Sequence, residues 1–200
     1  MEKIGESVKI RKIAVTGTIS AGKSTVCDIL SQKQAYVLKA DDIVHNLLSQ
    51  DNNIIHKIKE KFGESCFTDG KIDRKKLANQ VFTDPNKLNA LEEILHPKVQ
   101  SKIQDAFEQI KNHSEYKRFV VEIPLLFEIR FEKFFDEVWF VTADKEILKK
   151  RFLEKGFSES EFEARSQRFM PEDERIKKSH KIIENNTSKE ELINQIENIL

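Results

Sequence analysis

Cysteine is scarce in this 200-residue chain, and the two present stand apart: Cys27 and Cys66 form no CxxC and lie at no ligand spacing from a histidine. That argues against a structural zinc site and against a disulfide framework, and it suits a reducing compartment. Net charge is missing too. Lys+Arg and Asp+Glu both number 34, so the chain lacks the basic surplus of a general nucleic-acid binder, though a local basic pocket remains open to it. No stretch approaches the roughly 20 apolar residues of a membrane span, and residues 1–12 have no signal-peptide core. Internal repeats and low-complexity linkers are lacking as well. The expectation is a soluble, cytoplasmic protein of one domain, with no nucleic-acid and no membrane partner.

What is present is alternation. Five short apolar runs, at 12–16 (KIAVT), 36–40 (YVLKA), 118–123 (RFVVEI), 137–142 (EVWFVT) and 180–184 (HKIIE), are rich in Val, Ile and Phe. Short apolar runs between helical patterns predict strands buried on both faces of a parallel sheet, hence a doubly wound α/β fold. The long gap from 41 to 117 reads as helix over 54–62, 74–82 and 86–111, with Pro97 predicted to kink or divide the last. A helical block inserted between two strands has the look of a substrate-binding subdomain. A second charged helical stretch at 145–179 breaks at Gly156 and Pro171; it reads as a mobile lid or as a solvated helix pair. Ser188 and Glu191 open the final helix at capping-box spacing.

Residues 17–25 read GTISAGKST, the phosphate-binding loop pattern between a buried strand and a helical pattern. Gly17 and Gly22 allow backbone conformations closed to other residues, so that successive N–H groups can point at a phosphate. The loop candidates are Gly17, Thr18, Ser20, Ala21, Gly22, Lys23, Ser24 and Thr25. Lys23 reaches the β- and γ-phosphates, the Ser24 hydroxyl suits Mg²⁺, and the following helix adds its positive end. These features call for a nucleotide's phosphates and Mg²⁺.

Such a loop does not name a reaction. A GTPase switch needs an Asn-Lys-x-Asp reader, and neither 142–145 (TADK) nor 86–89 (NKLN) supplies one. Compact size, a helical insertion and an Arg-bearing lid favour a small-molecule kinase, by analogy at the level of fold. Asp41 and Asp42 follow the second strand, where ligands collect in α/β sheets. Asp41 can take a hydroxyl proton, orient Mg²⁺ through water, or cap the helix that begins there.

In the same order along the chain, GTISAGKST, VLKADDIVH, DRKKLANQVF, LEEILHPKV, VVEIPLLFE and KIIENN resemble the dephospho-CoA kinase family. Leu95-His96-Pro97 and Pro124-Leu125-Leu126 carry most of the specificity, since P-loop proteins in general have neither. The resemblance implies a P-loop NTPase fold: a five-stranded parallel sheet with flanking helices, a helical CoA-binding subdomain at about 50–115 and a lid at about 145–179. With residues 1–11 as an N-terminal extension, 12–200 form a single kinase domain. The implied activity moves the γ-phosphoryl group of ATP to the ribose 3′-hydroxyl of dephospho-CoA, by a monomer acting on small molecules. It makes Asp41 the catalytic base, with Lys23 and Arg165 at the phosphates and Arg74 and His96 near the acceptor. Arg151 leads into the lid, and Asn185 falls near the adenine. Alternatives are another nucleoside or nucleotide kinase, or a nucleotide-binding switch. Two positions depart from the family pattern: Lys39 stands where an Asp is usual, and Phe169 where Gln is common.

Overall fold

The computed structural model describes residues 9–200. Of the expected extension, residues 1–8 lie outside the described residues; Ile10 is buried, and Arg11 already pairs with Arg118. The first strand, β1 (Arg11–Gly17), is buried from Ile13 onward. It continues through a loop into α1 (Lys23–Ser31), whose Val26, Cys27, Ile29 and Leu30 form the apolar stripe. β2 (Ala35–Lys39) leads into α2 (Ala40–Gln50). Then come α3 (Asn52–Phe62), a two-residue-strand hairpin of β3 (Phe67–Thr68) and β4 (Lys71–Ile72), α4 (Arg74–Phe82) and α5 (Pro85–Ile110). The chain closes with β5 (Arg118–Glu122), β6 (Glu137–Thr142), α6 (Lys145–Leu153), α7 (Glu159–Ser166), α8 (Glu172–Lys177), β7 (Lys181–Glu184) and α9 (Lys189–Ile199).

Five strands form one parallel sheet in the order β2-β5-β1-β6-β7. The apolar runs predicted these strands to within a residue or so at each end. The inner strands are nearly continuous in apolar residues, as burial on both faces requires. On one side Ile13, Val15, Val26, Leu30, Trp139, Phe152, Ile183 and Ile196 pack into a common core. Each such side chain contributes about 1.5–3 kcal/mol when fully buried, which far outweighs the exposed ion pairs of the surface.

Contacts divide the chain into two compact units. One runs to Lys39 and resumes over Phe107–Leu200; the other is Ala40–Ala106. The second unit buries Leu47, Ile54, Ile58, Phe62, Leu77, Val81, Leu95 and Val99. Helices α3 and α4 have side-chain caps: Asp51 accepts from the N–H groups of Asn53 and Ile54, and Asp73 from those of Lys75 and Lys76. Asp73 is held below the usual carboxylate range by the Lys76 N–H first and by the Thr68 hydroxyl.

Of the two outcomes expected at Pro97, division is excluded, and Ser188 caps the final helix as its spacing with Glu191 suggests. Pro97 does not divide α5, which runs unbroken from Pro85 to Ile110. The ring removes one backbone donor, but Leu95, Val99 and Ile103, buried on both sides of it, hold the helix together. The reciprocal capping box is found at Ser158 and Glu161, opening α7. At α9, Ser188 accepts the Glu191 N–H at 3.2 Å. Among the described residues, no helix is long and apolar enough to cross a membrane.

Candidate active site

The loop between β1 and α1 is moulded by its neighbours. Gly17 (φ 148°) has no room for a side chain, because a Cβ there would strike the Val141 carbonyl. At Gly22 (φ 94°) a Cβ would strike the Asn185 amide. Only glycine meets both demands. The Thr18 N–H donates to the Val141 carbonyl at 3.0 Å, fastening the loop to β6. Asn185 is buried and fastens it from the other side: its Nδ2 donates to the Ala21 carbonyl at 2.8 Å, and its own N–H to Thr142. Gly22 serves as N-cap of α1 without any side-chain cap bond. The first-turn N–H groups of α1 are thus left for an anion rather than consumed by a capping residue.

Lys23 folds back on this loop, donating from Nζ to the Thr18 carbonyl at 2.8 Å and the Gly17 carbonyl at 3.4 Å. The Ser24 hydroxyl donates to Glu122 Oε1 at 3.0 Å. Glu122 ends β5, and its register partner on β2 is Lys39. Lys39 pairs with Asp28 at 3.3 Å. Burial works against its charge, but the hydrogen bond and charge of Asp28, with Glu122 beyond, hold its ammonium above the ordinary range. Cys27, behind them on α1, is pushed up by burial and then by the Glu122 charge. Ser24, Glu122 and Lys39 therefore meet at the carboxyl ends of neighbouring strands, where α/β folds bind ligands.

On the β6 side, the Thr142 hydroxyl donates to Glu172 at 2.7 Å and lies 3.4 Å from the Thr18 hydroxyl. Arg175, from α8, is buried and donates to the Gly17 carbonyl at 3.4 Å. A cavity of about 590 Å³ opens here beside Thr18, Phe162, Phe169, Glu172 and Arg175. A second, of about 430 Å³, lies beside Gly22, Thr25, Arg151, Asn185 and Thr187. Arg151 Nη1 is buried there, without a hydrogen-bond partner among the described residues.

The structure thus gathers Gly17 to Thr25 with Asn185 in one place. Arg165 sits in the last turn of α7, its guanidinium 4.3 Å from the Phe157 ring centroid and 3.6 Å from Glu161. Asp41, Arg74 and His96 belong to the unit Ala40–Ala106. Asp41 is exposed in the first turn of α2, one residue inside the helix and not its cap. Arg74 meets His45 Nδ1 at 2.5 Å, one helical turn beyond Asp41 on the same face of α2. His96 is half-buried in α5. Sequence reasoning passed over Glu122, Thr142, Glu172 and Arg175. A carboxylate ending an apolar strand was a usable signal for Glu122; nothing in the pattern singles out Arg175.

A family profile described as dephospho-CoA kinase matches residues 11–191. A dephospho-CoA kinase of Chlamydia pneumoniae is 36% identical over 191 residues, covering 95% of both chains. A solved structure from Thermus thermophilus superposes with a TM-score of 0.80 at 32% identity, covering 96% of each chain. A dephospho-CoA kinase structure from Campylobacter jejuni gives 0.64 at 28% identity, over 94% of this chain and 95% of that one.

Proposed function

The chain belongs to the dephospho-CoA kinase family, and on that premise we propose that it transfers the γ-phosphoryl group of ATP to the 3′-hydroxyl of dephospho-CoA, yielding coenzyme A and ADP. The observation that carries the nucleotide half of this reading is the glycine-bounded loop fastened to Val141 and Asn185 and followed by an uncapped helix. That cradle fits a phosphate chain, and the cavity at Gly22, Arg151 and Asn185 is of a size and polarity to take the base. Ser24 and Glu122 suit Mg²⁺, since both offer hard oxygen atoms. When bound, that ion neutralises charge on the β- and γ-phosphates.

In the transfer, Asp41 accepts the proton of the 3′-hydroxyl. The ribose oxygen forms its bond to the γ-phosphorus while the bond to the β–γ bridging oxygen breaks, and ADP leaves with that electron pair. Lys23 exchanges the loop carbonyls for the phosphates and follows the charge onto the leaving group. Arg165 reaches the phosphates on lid closure, and Arg74 and His96 hold the acceptor. The enzyme acts on small molecules alone, as a cytoplasmic monomer.

Incubation with Mg-ATP and a panel of acceptors tests the reading. Rapid, specific phosphorylation of dephospho-CoA is the expected result. Preference for a nucleoside or nucleotide would assign another kinase activity, and slow hydrolysis without any acceptor would point to a switch.

A further inference from the structure

The Gly17 carbonyl has two cationic donors. Lys23 Nζ and Arg175 Nη1 each stand 3.4 Å from it. The two differ in freedom. Lys23 sits on a flexible stem at the start of α1. Arg175 is 5% exposed, with its guanidinium carbon 5.1 Å from the Phe140 ring and 4.9 Å from the Phe169 ring. A cation in contact with two aromatic rings loses both contacts if it swings away. Burial draws its pKa down, against the charges of Glu128 and Glu172, yet a guanidinium stays ionised at neutral pH. Its Nε is buried and lacks a hydrogen-bond partner among the described residues. An orphaned donor is unfavourable, and an apolar side chain would fill this slot without one. Packing alone therefore gives no reason for an arginine here.

We infer that Arg175 is a positioning residue for phosphoryl transfer: it keeps hold of the Gly17 carbonyl, and so of the loop's shape, when Lys23 leaves that carbonyl for the nucleotide phosphates. Gly17 is the residue with no steric slack, wedged against Val141. Releasing Lys23 would otherwise strip a donor from the carbonyl at the tightest point of the loop. With Arg175 fixed in place, the lysine exchanges partners while the loop stays put. The lid residue Phe169 takes part by roofing the guanidinium.

The inference rests on the kinase reading, and a double-mutant cycle on ADP affinity separates the two. Wild-type protein should bind ADP; failure to bind would overturn the kinase reading and this role with it. Arg175→Met should weaken ADP about tenfold in the wild-type background and less than about twofold in a Lys23→Ala background, because no lysine is left to release. No loss in the first background, or equal losses in both, overturns the inference while leaving the kinase reading standing. Arg175→Gln keeps an uncharged donor for the carbonyl and should stay within about threefold of wild type. A full loss in the glutamine variant would instead assign direct charge contact with phosphate. Should the methionine variant not fold, NMR of wild-type protein decides: the Arg175 guanidinium protons should stay protected from exchange on adding ADP while the Lys23 side chain shifts. Loss of that protection overturns the role.

Discussion

The Ser24 hydroxyl donates to Glu122 Oε1 at 3.0 Å, tying the first turn of α1 to the last residue of β5. The bond fixes the serine rotamer, so the oxygen we propose for Mg²⁺ would be aimed before any ion arrives. Glu122→Gln keeps the shape but removes the charge. It should raise the Mg²⁺ concentration needed for half-maximal turnover ~10-fold, the low end for losing a supporting carboxylate. A magnesium titration at fixed ATP checks this, and an unchanged midpoint would remove Glu122 from the metal's surroundings.

Lys23→Ala should lower turnover by at least ~10²-fold, because it takes away the cation proposed to follow the charge of the transferring group. The side chain donates to two loop carbonyls, so stability should shift by no more than about 0.5 kcal/mol. Turnover at the wild-type rate would end the phosphate-loop reading.

Asp41→Asn should reduce phosphorylation of dephospho-CoA by ~10²-fold or more, the usual loss for a general base. Asp42→Asn should be mild. Both residues are exposed in the first turn of α2, where each adds a similar small helix-dipole contribution, so matched melting temperatures are expected and catalysis alone should separate them. Lys39→Asp should leave the enzyme active, since Asp41 is untouched. An active Asp41→Asn beside an inactive Asp42→Asn would mean that the other carboxylate is the base.

Cys27 and Cys66 are both free and buried, and burial raises both thiols above their ordinary range. Folded protein at pH 8 should react slowly with a thiol reagent, whereas urea-unfolded protein should react at once. A folded pKa above the unfolded one means the native state binds the proton more tightly. The associated stability is whole below the ordinary thiol pKa of about 8.5 and declines as pH rises past it. Urea midpoints at pH 7.5 and pH 9.5 measure the decline; rapid labelling of the folded chain would contradict the burial of both thiols.

The sheet was legible in the sequence because parallel strands covered on both faces become apolar runs, and 137–142 emerges as β6 without adjustment. The loop was legible because Gly17 and Gly22 satisfy steric demands that travel with the motif. The hairpin of β3 and β4 was not, since two-residue strands have no periodicity to detect. Arg175 escaped for a different reason. It lies among charges in a helix of six residues, and its meaning comes from Gly17, Phe140 and Phe169, which only the folded chain brings to it.

The sheet order places β1 between β5 and β6, strands made more than a hundred residues later. The loop leans on Val141 from β6 and on Asn185 just after β7. During synthesis the GTISAGKST segment therefore leaves the ribosome without the walls that shape it. At roughly 5–20 residues per second, Asn185 follows on the order of ten seconds later. Through that interval the nascent chain carries the nucleotide motif but no site for a nucleotide to occupy. ATP binding can add nothing to the stability of the growing chain until the last strand is in place.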